Sequence, residues 1–424
     1  MSATLLYTDP AAMEPLFPTD AQGELEALAI DLVAKAAKLS EAMHPITRAA
    51  VAELVRPMNS FYSNLIEGHD THPIDIARAL RQEYAQDSKK KELQLEAIAH
   101  IRVSEALAHG RLKNIAGLDP SSEAFIKGVH RAFYEHLPES FKEVTSVEGK
   151  AHTVVPGTWR IGEVKVGRHV APAHTSVPIF IERFASFYDR EAATNRSPAR
   201  RIIALAAAHH RLAWIHPFLD GNGRVVRLCS DAWLRAEGLD GAGLWSISRG
   251  LARSRSTYTA LLANADLPRR NSYDGRGNLS NEELVVFCRY FLRTAIDQVE
   301  FMHTSLQLDN VLDRIDSFVD RMMDKRYMRT EARHVLQEVF LRGSITKPEA
   351  ERLMGVSDKT GKKITDQLVH MGLLVARKEK EGVALKFLAA YPIVISPWIL
   401  PGLYPDGKEA EMMAAQLDGN APRE

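Results

Sequence analysis

Apolar residues recur at spacings of three and four along most of this chain, and that period constrains the fold more than any other feature. It predicts helices over 23–42 and 46–66, the second stopped by Gly68. A third begins at His72-Pro73 with IDIARALRQEY, and Lys89-Lys90-Lys91 opens a fourth that runs on through ELQLEAIAHIRVSEALAHG. Further helices are expected over 121–136, 176–192, 198–214, from about 223, and over 247–264, 281–306 and 309–324. The fold class is therefore mainly α. One stretch breaks the period: Thr153 to Val170 alternates apolar and polar residues around Pro156-Gly157 and Gly162, which predicts a β-hairpin. A hairpin isolated among helices has a task other than building a sheet.

The last part of the chain reads as an independent unit. Helix over 330–341, a short extended Ser344-Ile345-Thr346, helices over 347–354 and 357–371, and a strand pair turning at Lys380-Glu381-Gly382 follow one another. Helix–turn–helix followed by a hairpin is the layout of a winged helix. Lys359, Lys362 and Lys363 on its second helix, with Arg377, Lys378 and Lys380 on the wing, suit DNA phosphates; protein contact or dimerisation is the alternative use. The expected organisation is a helical region over 1–110, a central domain over 111–310, the winged-helix-like domain over 311–395 and a tail over 396–424.

Charge adds exclusions. Lys+Arg and Asp+Glu both total 54 of 424 residues, so no whole-chain field draws the protein to nucleic acid or to an anionic membrane. The two cysteines, Cys229 and Cys288, sit apart within apolar helical patterns, which gives neither a disulfide framework nor a cysteine zinc site. The first twenty residues lack a basic start and an apolar core, and the apolar stretch from Tyr391 to Tyr404 is too short to cross a bilayer. A cytoplasmic protein with no membrane partner is expected.

The chemistry concentrates in His216-Pro217-Phe218-Leu219-Asp220-Gly221-Asn222-Gly223-Arg224-Val225-Val226-Arg227. Gly221 and Gly223 let consecutive N–H groups curl into an anion nest, and a helix N-terminus follows directly. Arg224 and Arg227, three apart, bring two guanidinium forks to that nest, enough for more than one phosphate. His216 stands where it can take a proton from a hydroxyl, and Asp220 is a hard oxygen ligand suited to Mg²⁺. Base, metal carboxylate and polyphosphate cradle together describe nucleotidyl or phosphoryl transfer. A calcium loop does not fit, because Arg224 occupies a ligand position, and His209-His210 lacks zinc-protease spacing.

The segment is similar throughout to the HPFx[D/E]GNGRxxR signature of the Fic family. That resemblance implies a Fic-type helical core with a β-hairpin flap, and transfer of AMP from ATP, with Mg²⁺, to a Ser, Thr or Tyr hydroxyl of a protein substrate. It assigns His216 as the general base, Phe218 as the loop anchor and Asp220 as the metal ligand. Gly221, Asn222, Gly223 and Arg224 would hold the phosphates, and Arg227 would reach the γ-phosphate. Pro156 to Gly167 resembles the family's flap, whose open edge at Val164, Lys165, Val166 and Gly167 would align a target segment. Ile247-Ser248-Arg249 and Ser254 to Tyr258 resemble the stretch beside the adenine, with Tyr258 as the contact. This sequence carries Ser254 where many members have Asn, and Thr259 where they have a second Tyr.

Ser63-Asn64-Leu65-Ile66-Glu67-Gly68 resembles the family's inhibitory motif, [S/T]xxxE[G/N], placed before the catalytic loop. Ser63 and Glu67 are four apart on one helical face, so the hydroxyl can steady the carboxylate. A carboxylate reaching Arg227 would pair with it bidentately and occupy the place of the γ-phosphate. The same glutamate could instead position a water that removes AMP. A homodimer is a family-level expectation. The rival reading is a DNA-binding regulator whose Fic-like core senses nucleotide.

Overall fold

A computed structural model describes residues 6–145, 151–167, 169–190, 197–378, 385–389 and 400–403. Arg168, the turn at Lys380-Glu381-Gly382 and nearly all of 390–424 lie outside the described residues. The fold is mainly helical, as the periodicity predicts. The order is α1 (Glu24–Glu41), α2 (Pro45–Glu67), α3 (Pro73–Leu80), α4 (Ser88–Ala108), α5 (Glu123–Glu135), β1 (Glu143–Thr145), β2 (Ala151–Thr153), β3 (Lys165–Val166), β4 (His169–Val170), α6 (Val177–Tyr188), α7 (Pro198–Ile215) and α8 (Asn222–Ala236). There follow α9 (Ile247–Arg253), α10 (Arg255–Ala265), α11 (Asn281–Ser305), α12 (Leu308–Asp324), α13 (Ala332–Arg342), β5 (Ser344–Thr346), α14 (Lys347–Met354), α15 (Asp358–His370), β6 (Leu374–Arg377) and β7 (Lys386–Ala389).

Local chemistry sets the helix ends. Asp87, Ser122, Ser197 and Ser280 accept hydrogen bonds from first-turn N–H groups of α4, α5, α7 and α11. Prolines open α2, α3 and α7, where the missing N–H has no partner to lose. Gly68, at φ 90°, closes α2 in the left-handed region.

Packing centres on α7, which is buried along most of its length and runs beside α8, α11, α6 and α1. Helix α1 lies along α11, and α2 lies against α4 and α9. One apolar cluster runs from Met13 to Leu403. Even the first described residues enter it, since Leu16 is buried and Arg211 donates two hydrogen bonds to the carbonyl of Pro15.

Two elements differ from the periodic reading. The helix expected over 247–264 breaks at Ser254 (φ −119°, ψ 38°), whose Oγ donates to Gly250 O and meets Tyr290 Oη at 2.7 Å. The hairpin expected over 153–170 is shorter. Only β3 and β4 pair, with Lys165 opposite Val170 and Val166 opposite His169. Thr153 ends a separate ribbon, β1–β2, which periodicity did not indicate. The N–H groups between them have other acceptors: Val154 donates to Lys142 O, Gly157 to His130 Nδ1 and Arg160 to Pro217 O. Alternation marked an extended chain, but its hydrogen bonds go to helix and loop rather than to a partner strand.

At the C-terminal end, α13, α14 and α15 pack with a three-stranded antiparallel sheet in the order β5-β7-β6. This unit is seated on the start of α2. Thr47 Oγ1 donates to Phe340 O at 2.6 Å in a buried position, and Gly343, at φ 72°, lies so close to His44 and Ile46 that a Cβ would overlap them. Among the described residues no helix is long and apolar enough to cross a membrane. Thr47→Val keeps the shape but removes this hydrogen bond from a buried contact. It should lower stability by about 0.5–1.5 kcal/mol in urea unfolding.

Candidate active site

The loop between α7 and α8 is shaped from within. His216 caps α7 in the left-handed region, at φ 48°, and Gly221 takes φ 79° one residue before α8. A Cβ on Gly221 would come within 2.8 Å of the Tyr134 ring, so glycine is required twice over, for conformation and for space. Asn222 is buried and spans the turn with its amide: Oδ1 accepts from Phe218 N at 2.9 Å, and Nδ2 donates to Phe218 O at 2.8 Å. Its side chain is therefore spent on the loop, leaving only its backbone at the helix N-terminus for an anion.

Neighbouring elements hold this loop from outside. Phe218 is fully buried and stacks on the His130 ring, with centroids 3.8 Å apart and 8° between planes. His130 Nδ1 accepts from Gly157 N, so its Nε2–H faces the Asp220 carbonyl at 3.3 Å. The Arg160 guanidinium, also buried, donates to His216 O, Gly162 O and Pro172 O. The extended stretch before β3 is thus pinned to the loop it faces. Tyr134 donates to Asp220 Oδ2 at 2.5 Å and fixes a carboxylate that stays 43% exposed.

Arg224 and Arg227 of α8 are buried and each meets a carboxylate. Arg227 donates from Nε to Ser63 Oγ (2.8 Å), and from Nη2 to Ser63 O (3.0 Å) and Glu67 Oε1 (2.6 Å). The pairing of Glu67 with Arg227 is therefore present, but through one nitrogen rather than two, because Ser63 takes Nε. The serine steadies the arginine, not the glutamate as the shared face suggested. Glu67 also lies against the loop, where a Cβ on Gly223 would overlap its carboxylate. Arg224 pairs through Nη1 with Glu96 Oε1, reaches Asp220 Oδ2 at 3.3 Å with Nη2, and lies 5.1 Å over the Phe133 ring.

Burial dominates the electrostatics. Desolvation, with His169 and Arg160 alongside, pushes His216 down to about 4, so its imidazole is neutral near pH 7. Burial alone would raise Glu67, but Arg227 and Arg224 outweigh it and hold the carboxyl below its ordinary value. Burial lowers Arg224 to about 10, still cationic at neutral pH.

The structure thus brings His216, Asp220, Gly221, Gly223, Arg224, Arg227, Ser63 and Glu67 into one site. Val164, Lys165, Val166 and Gly167 lie at the short hairpin, where Lys165, Val166 and Gly167 are exposed. Tyr258 is placed otherwise than as an open adenine contact. It is 3% exposed, and its hydroxyl donates to His209 Nε2 at 2.8 Å. The ring nitrogen must accept there, because His209 Nδ1 donates to Ser230, whose own hydroxyl donates to Val226 O. Sequence reasoning passed over His69, Glu96, His130, Tyr134 and Arg160 as functional residues. A charge amid the apolar run of α4 marks Glu96, and the four-residue spacing of His130 and Tyr134 marks one face of α5.

Fold and site agree with a sequence comparison: residues 120–234 match the Fic/DOC family. The chain is also similar to two proteins named protein adenylyltransferase Fic. The one from Drosophila mojavensis is 29% identical over 124 residues, which are 29% of this chain and 24% of that protein. The one from Drosophila willistoni is 28% identical over 117 residues, 27% of this chain and 23% of that protein. The alignments therefore span about a quarter of these relatives. In fold the chain resembles the solved Fic-1 (residues 134–508) of C. elegans, with a TM-score of 0.51 at 16% identity, over 68% of this chain and 74% of that one.

Because the Glu67 carboxyl sits below its ordinary value, its pairing stabilises the fold above the unfolded-state pKa and is lost as pH falls through the folded one. Glu67→Gln should therefore flatten the acid limb of stability against pH, below the ordinary carboxylate range, as measured by thermal unfolding from pH 7 downward.

Proposed function

We propose that this chain is a protein adenylyltransferase, transferring AMP from ATP to a hydroxyl of another protein, and that Glu67 holds it in check. The observation that carries the reading is the Glu67–Arg227 ion pair at 2.6 Å inside a loop built for phosphates. The names of the relatives point to the same reaction.

In this reading the target's hydroxyl oxygen attacks the α-phosphorus of ATP. The bond from that phosphorus to the oxygen bridging the β-phosphate breaks, and pyrophosphate leaves. His216 takes the hydroxyl proton, for which its neutral ring is ready. Arg224 and the N-terminus of α8 grip the β-phosphate, and Arg227 grips the γ-phosphate.

Magnesium fits the residues present. Among the described residues no group of three or more His, Cys, Asp or Glu side chains could hold a metal, so Asp220 would be the protein's ligand and the nucleotide and water would complete the oxygen shell. The ion would neutralise phosphate charge there. Tyr134 holds the carboxylate in place for it.

Glu67 blocks this arrangement by lying where the γ-phosphate would meet Arg227, so bound ATP is misaligned for in-line attack. A target segment would add along the exposed edge at Val164 to Gly167.

Incubation with α-labelled ATP and Mg²⁺ in a cell lysate tests the reading. Glu67→Gly should label discrete proteins far more strongly than wild type, and His216→Ala in that background should lose about 10²–10⁴-fold. Blank lanes from every variant would remove the transferase reading. In the Glu67→Gly variant the acid limb of the pH–rate profile should lie well below pH 6.5, towards the lowered pKa of about 4 at His216. A limb at the ordinary histidine pKa would show that another group limits the rate.

A further inference from the structure

His69 and Glu96 carry no motif, yet together they join the end of α2 to the arginines of α8. Glu96 belongs to α4 and is wholly buried. One of its oxygens pairs with Arg224 Nη1; the other accepts from His69 Nδ1 at 2.6 Å. A carboxylate can only accept, so the proton sits on Nδ1 of His69.

The two ends of that hydrogen bond differ in freedom. Glu96 cannot leave without stranding a buried charge, whereas the His69 side chain is 39% exposed and can. His69 is also the second residue beyond Glu67. The intervening Gly68 is left-handed, and the His69 N–H closes the helix end by donating to Asn64 O at 3.0 Å. Anchoring His69 therefore fixes the backbone from which Glu67 reaches Arg227.

We propose that His69 and Glu96 are positioning residues of this site: their hydrogen bond is the latch that keeps the Glu67 carboxylate on Arg227. The inference rests on the reading of Glu67 as a brake. Glu96 is the fixed half, held in register by Arg224, and His69 is the half that lets go.

Two substitutions test it in the full chain. His69→Ala removes the donor, and His69→Asn restores one, because the asparagine Nδ2 takes nearly the place of the histidine Nδ1. AMP transfer should rise severalfold in His69→Ala, up to roughly the tenfold that one charge-assisted hydrogen bond can supply, and remain below that of Glu67→Gly. It should return towards wild type in His69→Asn. Added to Glu67→Gly, His69→Ala should change nothing beyond about twofold, since the two act on one contact. Hydrogen exchange in the nucleotide-free protein gives a second reading: the amides of Gly68 and His69 should exchange roughly tenfold faster in His69→Ala and recover in His69→Asn.

Unchanged transfer in His69→Ala beside an active Glu67→Gly would overturn the latch. So would an equal rise when Glu67 is already gone, or unaltered exchange. If Glu67→Gly itself transfers no AMP, the adenylyltransferase reading fails, and the exchange rates alone decide whether the latch exists.

Discussion

A buried guanidinium must be paired, and the structure around Arg227 follows from that requirement. Arg227 is 1% exposed on the inner face of α8, where an unpaired charge would cost several kcal/mol. Three of its hydrogen bonds go to the end of α2: to the hydroxyl and carbonyl of Ser63 and to the carboxylate of Glu67. The packing of α2 against α4, α8 and α9 is thus also the electrostatic solution for the buried charge of α8. A buried cation there needs an anion beside it. Glu67 supplies it, and is replaceable because it closes a helix at a partly exposed position.

The same logic separates the two arginines. Arg224 has a partner that stays, Glu96, sealed inside α4, and it lies over Phe133. Arg227 has a partner that can leave. One guanidinium is held by a buried carboxylate and the other by a partly exposed one, the asymmetry on which the proposed control of the site rests. Further back, His130, Tyr134 and Arg160 set the loop rigidly enough for His216 to keep a left-handed backbone.

The seat of the C-terminal unit gives α2 a contact at each end. Thr47 near its start bonds Phe340, and Glu67 at its finish bonds Arg227, roughly 30 Å apart along a helix rising about 1.5 Å per residue. Tyr62, between them, donates to Leu403 O.

The sequence by itself determined a good deal. Helical period, caps and prolines gave nearly every helix to within a few residues, because these are local effects. The order of His216, Asp220, the glycines and the two arginines was legible for the same reason: glycine turns, helix N-terminus and neighbouring guanidinium groups are all set within a few turns of chain. What failed was non-local. The stretch 154–164 alternates as a strand does, but Gly157 N donates to α5 and Arg160 N to the loop before α8, and no pattern within it names those acceptors. The Asn222 amide is occupied by Phe218 and the Tyr258 hydroxyl by His209, partners that no local pattern names. Glu96 lies 128 residues from Arg224 and His69 lies 27 from Glu96, so only the packing of α4 against α2 and α8 decided that these charges meet. A buried charge announces that it has a partner; which partner is a property of the assembled helices.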